Sequence, residues 1–380
     1  MRTSPERVPL AQTVRAECAI EKVDAKAYRI PTEQQPEESD GTLTWNATTL
    51  VVVHVRAGGV TGMGASYADA AAARLVRDLL ADVLVGNDAF ETGARYAQMV
   101  NKIRNNGRGG ISAMAISAVD VALWDCKAKA FGVPLYALLG GARERVPVYG
   151  SGGFTSYDRA RLTEQLGGWV HDMRIPRVKM KVGRDPNADP QRVRAARRAI
   201  GDEAELFVDA NGAYVVKQAL EMARRFEEYG VCWYEEPVYH QDLAGNAFVR
   251  ERAPASMEIS NGEYGFAPYD FRRILDTGAA DVLQADVTRC GGVTGFLAVD
   301  ALCEAYGIPL SSHCAPSFTL HAAMAACTLR HVEYFHDHVL IERRLFDGTP
   351  EPQDGYLLPD SSRPGIGLEF KEQDAREYLV

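Results

Sequence analysis

Between Leu206 and Glu263 the chain contains Leu206-Phe207-Val208-Asp209, then Val231-Cys232-Trp233-Tyr234-Glu235, then Met257-Glu258-Ile259-Ser260-Asn261-Gly262-Glu263. Each is a short apolar run leading to an acid, and the acids Asp209, Glu235 and Glu263 are 26 and 28 residues apart. Amphipathic stretches such as 190–200 and 216–229 lie between such runs, which is the alternation of a strand–helix repeat. Working outward, the same texture continues at 146–149, 177–182, 282–285, 308–311 and 332–335, with a further helix over 295–306. Eight such units predict an α/β chain built on a (β/α)₈ barrel of the TIM type, whose core needs about 250 residues or somewhat fewer. Active sites of such barrels lie at the C-terminal ends of the strands, so a repeat of about 30 residues puts the three acids at one level of the mouth, on adjacent strands.

Upstream of the barrel, residues 50–56 are rich in valine and lead into Gly58, Gly59, Gly62 and Gly64, which read as turns between strands rather than a dinucleotide loop. Alanine and leucine recur at helical spacing over 67–90 and 111–132, until Gly132, Val133 and Pro134 stop the second helical region. These features predict an α+β capping domain at 1–143, the barrel at 144–343 and a closing segment at 344–380 that packs on the cap.

Apolar residues make up 46% and charged residues 24%, the balance of an ordinary globular protein. Forty-two Lys and Arg against 51 Asp and Glu give a formal charge of -9, the wrong sign for a partner of nucleic acid. The seven cysteines form no CxxC pair, which points to a reducing cytoplasm rather than a disulfide framework or zinc ribbon. Arg7, Arg15, Glu17, Glu21 and Asp24 leave no apolar signal core near the start, and no stretch reaches membrane-spanning length, so neither export nor membrane insertion is expected.

Three converging carboxylates repel one another unless a cation joins them, and hard oxygen ligands favour Mg²⁺. Lys181 precedes Asp209 by 28 residues, and Lys179 shares its face because residues i and i+2 of a strand project together. At about 6.5 Å and an effective dielectric near 20, the two ammonium groups repel by roughly 2.5 kcal/mol, or nearly two pKa units. That predicts one lysine able to lose its proton near neutrality, a base for a carbon acid. Downstream, Asp286, His313 and Glu333 end the sixth, seventh and eighth strands at spacings of 27 and 20 residues. A carboxylate beside a histidine fixes its tautomer and raises its basicity, so Asp286 and His313 read as a dyad across the mouth from Lys181. His336 and His338 flank Asp337 without a third partner in register and are not read as metal ligands. Gly291, Gly292 and Gly295 read as the start of a helix.

Taken together, these pieces resemble the enolase superfamily and, within it, the mandelate racemase subgroup. The matching pieces are Lys179-x-Lys181, Asp209-Ala210-Asn211, Glu235-Glu236-Pro237, Gly262-Glu263, Asp286 ahead of Gly291-Gly292-Val293-Thr294-Gly295, Ser311-Ser312-His313 and Glu333. The resemblance implies Asp209, Glu235 and Glu263 as Mg²⁺ ligands and Lys181 as one base. It implies His313, oriented by Asp286, as the other acid or base, and a protonated Glu333 donating to the substrate carboxylate. Lys179 joins the catalytic and substrate-contacting set, Asn211 contacts substrate or metal-bound water, and Glu236 stands behind the ligands. The polar segment 31–46, with Glu33, Gln34, Gln35, Glu37, Glu38, Ser39, Asp40 and Thr42, corresponds to a cap loop that closes over substrate, with Trp45 as a further substrate contact. The muconate-cycloisomerase branch places a lysine on the sixth strand; 285–292 has none, and Arg289 there is no ordinary proton-transfer group.

The chemistry that the resemblance implies is Mg²⁺-dependent removal of the proton α to a carboxylate through an ene-diolate. The favoured outcome is dehydration of a sugar acid, an aldonate or aldarate, to a 2-keto-3-deoxy acid. A racemase or epimerase on the same site is the alternative, and a non-catalytic carboxylate-binding protein is a third class. The expected partner is a small carboxylate, and relatives imply a homo-oligomer.

Overall fold

The computed structural model describes residues 18–32 and 37–380. Arg7, Arg15, Glu17, Glu33, Gln34 and Gln35, used in the sequence reading, lie outside them. Strands β1 (Ile20–Pro31), β2 (Ala47–Ala57) and β3 (Val60–Tyr67) form an antiparallel sheet in that order. Leu50, Val51, Val52 and Val53 of the middle strand are all buried, which is why its apolar residues run on without alternating. Gly58 and Gly59, with φ of 59° and 74°, make the hairpin turn. Gly62 and Gly64 do something other than the turn role read from sequence. A Cβ on either would stand 2.1 Å from a carbonyl oxygen, Ala122's or Ala118's, of helix α1 (Ile111–Ala130), so these glycines let helix and sheet backbones touch. Helix after β3 begins at Ala71, because Tyr67 still belongs to the strand.

The barrel strands are β4 (Val146–Gly152), β5 (Arg177–Lys181), β6 (Glu205–Asp209), β7 (Val231–Glu235), β8 (Glu258–Asn261), β9 (Val282–Ala285), β10 (Leu310–Ser312) and β11 (Leu329–Phe335). Each pairs in parallel with the next, and β11 pairs back onto β4, closing the eight-stranded barrel. Helices follow the strands in turn: α2 (Arg159–His171), α3 (Asp189–Ile200), α4 (Val216–Glu227), α5 (Leu243–Arg252), α6 (Pro268–Asp276), α7 (Gly292–Tyr306), α8 (Pro316–Ala325) and α9 (His336–Leu345). Inside the barrel Tyr149, Phe207, Trp233 and His331 pack ring to ring, forming an aromatic layer below the mouth.

Two contacts tie the cap to the barrel from behind. Asp120 of α1 accepts the Thr294 N–H at 2.9 Å and its hydroxyl at 2.7 Å, so the anion at the N-terminus of α7 is a protein carboxylate. Gly292 has room for it only as glycine, since a Cβ there would lie 2.4 Å from Asp120 Oδ2. Residues near the C-terminus lie along β1: Glu372 pairs with Lys26 at 2.6 Å, Val380 donates its N–H to Ala27 O at 3.1 Å, and Phe370 packs on Tyr28. No helix among the described residues is long and apolar enough to cross a membrane.

Candidate active site

Parallel register brings the charged strand ends together. Lys181 is directly opposite Asp209 on β6, and Asp209 is opposite Glu235 on β7. Glu263 follows β8 by two residues and turns back over the mouth. One carboxylate oxygen from each of Asp209, Glu235 and Glu263 lies within 4.8 Å of the other two, and all three side chains are buried. Around them sit unanswered acceptors: Glu263 Oε2, both carboxylate oxygens of Glu236 and Asn211 Oδ1 are buried without a hydrogen-bond partner. Asn211 and Glu236, each one or two residues past a cluster acid, have left-handed φ of 47° and 36°, backbone strain of the kind that persists at functional sites. Oxygen donors in excess of available protons fit a hard dication such as Mg²⁺.

Two lysines hold the cluster from the β5 side. Lys179 Nζ is 2.6 Å from Glu235 Oε1 and 2.8 Å from Glu333 Oε1, while Lys181 Nζ is 2.5 Å from Asp209 Oδ2. The expectation that one lysine gives up its proton near neutrality does not hold in this arrangement. Burial lowers each pKa, but the acids facing them, Glu235 and Glu333 for Lys179 and Asp209 for Lys181, raise both above the usual lysine range. The repulsion between the ammonium groups is real but is the smaller effect.

Glu333 faces the same lysines: burial raises its pKa, but the positive charge of Lys179, aided by His313 and Lys181, holds it below the usual carboxylate range. Burial and the neighbouring Asp209 charge push Glu235 well up, and burial with Glu263, Asp209 and Glu235 does the same to Glu236.

Across the mouth, His313 Nδ1 is 2.8 Å from Asp286 Oδ2. Asp286 also accepts the Thr288 N–H and hydroxyl, each at 2.7 Å; burial raises its pKa, but the His313 hydrogen bond and charge, then Arg289 and Thr288, hold it below the usual carboxylate range. Asp286 accepts the hydrogen bond from Nδ1–H, which turns Nε2 toward the cluster, 3.5 Å from Glu263 Oε2. Arg289 closes the circuit between Glu263 and Asp286, at 3.7 Å and 3.5 Å from their carboxylates.

The cap reaches the mouth through residues 336–338. Trp45 donates its indole N–H to Asp337 Oδ2 at 2.8 Å and packs edge-on against Phe154. Tyr67 stacks on His338 with ring centroids 3.4 Å apart, and His338 Nδ1 accepts the Ala315 N–H. Asp337 and His338 are therefore the footing of the cap.

Some residues at the site carried no sequence signal of their own. Trp233 Nε1 and Gln284 Nε2 donate to Glu235 Oε2 at 3.0 and 2.9 Å. Thr288 braces the dyad, and Cys314 places its sulfur 3.3 Å from His313 Nε2. Trp233 and Gln284 were findable by the two-residue period of a strand, each lying two before a site acid.

This constellation can hold a dication, draw a carboxylate to it, and offer proton-transfer groups from two sides. The enolase C-terminal domain-like pattern matches residues 161–375, and the N-terminal domain pattern of mandelate racemase and muconate lactonizing enzyme matches 25–140. The chain is 34% identical over 359 residues to the 3,6-anhydro-alpha-L-galactonate cycloisomerase of Streptomyces coelicolor, covering 93% of this chain and 98% of that enzyme. A crystal structure of a mandelate racemase/muconate lactonizing enzyme-like protein from Rubrobacter xylanophilus superimposes with a TM-score of 0.93 at 50% identity, covering 95% of this chain and 100% of that one. The L-talarate dehydratase of Polaromonas sp. JS666, complexed with Mg and L-glucarate, superimposes with a TM-score of 0.85 at 30% identity over 95% of this chain and 97% of that one. With both halves of the pattern matched and the mouth built as described, the chain belongs to the mandelate racemase/muconate lactonizing enzyme family of the enolase superfamily.

Proposed function

We propose that this enzyme dehydrates a sugar acid, an aldonate or aldarate, to a 2-keto-3-deoxy acid. The observation that carries the reading is the opposition of Lys181, on the Asp209 side of the acid cluster, and the His313–Asp286 dyad, on the Glu263 side. One of the two takes the proton from the α-carbon. The other gives a proton to the β-hydroxyl as its C–O bond breaks, so that water leaves and the remaining enol becomes a ketone. Asp209, Glu235 and Glu263 would hold Mg²⁺, whose charge opposes the negative charge gathering on the substrate carboxylate. Lys179 sets the positions of Glu235 and Glu333, Asn211 lies beside the cluster, and Trp45 holds the cap down over the substrate. The relative that binds L-glucarate beside Mg supports the substrate class.

A second reading, opening of an anhydro sugar acid by the same α-proton removal and β-elimination, is favoured by the cycloisomerase relative. Both are tested by incubating the Mg²⁺-loaded enzyme with a panel of four- to six-carbon aldonic and aldaric acids, anhydro-aldonates and mandelate. We expect a semicarbazide-reactive product lighter than its substrate by one water, and little or no turnover of mandelate, which has no β-hydroxyl. A keto product of unchanged mass from an anhydro-aldonate alone would establish the second reading. Epimerised acid without any keto acid would replace both with a racemase or epimerase.

A further inference from the structure

His313, Cys314 and Glu333 are buried together where β10 and β11 end, and one ligand atom from each lies within 4.8 Å of the other two. Donors at 2.0 to 2.3 Å from a tetrahedral zinc ion stand roughly 3.3 to 3.8 Å apart. Cys314 Sγ and His313 Nε2 already stand 3.3 Å apart. The Cys314 N–H is donated to Glu333 Oε2 at 2.7 Å, so the backbone fixes thiol and carboxylate relative to each other. Cys314 and Ala315 both have left-handed φ, 47° and 44°, a strained turn that keeps the sulfur beside the imidazole. A further observation points to a ligand: Asp286 behind His313 is the arrangement that holds metal-binding imidazoles, with the outer nitrogen bonded to a carboxylate and the inner one turned toward the thiol.

We propose that His313, Cys314 and Glu333 form a second metal site, selective for a thiophilic dication such as Zn²⁺ or Cd²⁺, and that its occupation stops turnover. The mouth then carries two adjoining donor sets of opposite preference. Three carboxylates suit a hard ion, while imidazole, thiolate and carboxylate suit a borderline or soft one. On binding, the thiol proton is released to solvent as the metal–sulfur bond forms, and the lone pair of His313 Nε2 becomes a metal bond and can no longer accept a proton. Burial and the charges of Glu333 and Asp286 keep the unbound thiol protonated, and Mg²⁺, a poor thiolate partner, does not displace that proton. Binding stands independently of the function proposed above; inhibition rests on the role given there to His313.

The test uses the Mg²⁺-loaded enzyme, with excess Mg²⁺ filling the carboxylate set, titrated with Co²⁺ as a spectroscopic probe. Wild type should develop a thiolate-to-cobalt charge-transfer band in the near ultraviolet, and Cys314→Ser should not. In turnover assays, with each protein referred to its own zinc-free rate, Cys314→Ser should require at least about tenfold more Zn²⁺ for half-inhibition. Should the serine variant fail to fold by circular dichroism, Cys314→Ala serves in its place. No band in folded wild type, or equal zinc sensitivity in wild type and variant, would overturn the site and leave competition at the three carboxylates as the cause of inhibition. The cobalt band together with undiminished turnover would uphold the site and overturn the inhibitory role, and with it the use of His313 in proton transfer.

Discussion

At the barrel mouth, Lys181, Asp209, Glu235, Asp286, His313 and Glu333 each follow by two positions a side chain on the same inner face: Lys179, Phe207, Trp233, Gln284, Ser311 and His331. The upper set announces itself in sequence because charged groups at the ends of apolar runs are conspicuous. Apart from Lys179, the lower set reads as ordinary strand residues, and its work becomes visible only through distances, as with Gln284 and Trp233 on Glu235 Oε2. Protonation states were equally illegible, since they depend on which acid lies within 3 Å of which lysine. Gln284 gives a sharp test. Its Nε2 orients Glu235, whereas its Oε1 is buried without a partner, so Gln284→Leu removes a useful donor and an unsatisfied acceptor together. We expect Mg²⁺ affinity by calorimetry to fall about tenfold or more while the melting temperature holds or rises. Unchanged affinity would mean that Trp233 alone positions the ligand. For the two proton-transfer groups, Lys181→Ala and His313→Asn should each abolish overall turnover. Exchange of the α-proton with solvent deuterium surviving in one of them identifies the abstracting base as the residue left intact. Wild-type rates in either variant would remove that residue from the mechanism.

Among the elements, α7 shows what patterning reveals and what it leaves out. Gly291, Gly292 and Gly295 mark a helix start in sequence, but nothing there says that the start abuts Asp120, more than 170 residues earlier in the chain. The same holds for Gly62 and Gly64, whose spacing looks like turn chemistry until α1 is seen pressed against them. Asp120 has a measurable consequence. Burial, only partly offset by the Thr294 and Val293 hydrogen bonds, pushes its pKa up to about 7, against about 3.9 in an unfolded chain. Between those values the folded protein keeps a proton that the unfolded chain has released, so stability falls as pH rises from about 4 to about 7. Asp120→Asn retains an oxygen for the Thr294 N–H and removes the titration. The drop in melting temperature from about pH 5 to about pH 8 should therefore be smaller in the variant than in wild type. Glu342, pushed up to about 7 by burial, has the same sign and accounts for slope that remains. Identical slopes in the two proteins would show that Asp120 is ionised throughout this range.

For the molecule as a whole, the decisive quantity is the charge gathered around the acid cluster at the barrel mouth. Lys179, Lys181 and Arg289 supply three cations there, against Asp209, Glu235, Glu236, Glu263, Asp286 and Glu333. Full ionisation with neutral His313 leaves an excess of three negative charges, and buried charge without compensation is costly enough that groups take up protons instead. The raised pKa values of Glu235 and Glu236 have this cause. The formal charge of -9 for the chain does not reveal such a local excess, because it counts surface and interior alike. A dication entering the mouth replaces protons as the compensating charge. Mg²⁺ binding should therefore release protons, seen as a dependence of the calorimetric heat on the ionisation enthalpy of the buffer. Because the ion binds the folded chain and not the unfolded one, Mg²⁺ at a hundred times its Kd adds about 2.7 kcal/mol of stability. At roughly 2–4 °C per kcal/mol for a large domain, the melting temperature should rise by about 5–10 °C. Chelation should reverse that rise and abolish turnover, and Glu235→Gln should lose most of both effects while remaining folded, since the residue lies at the functional rather than the stabilising end of the barrel. A melting temperature indifferent to Mg²⁺, together with full activity in excess chelator, would mean that the carboxylates are compensated by protons and lysines alone, and the metal would have to be removed from the proposed chemistry.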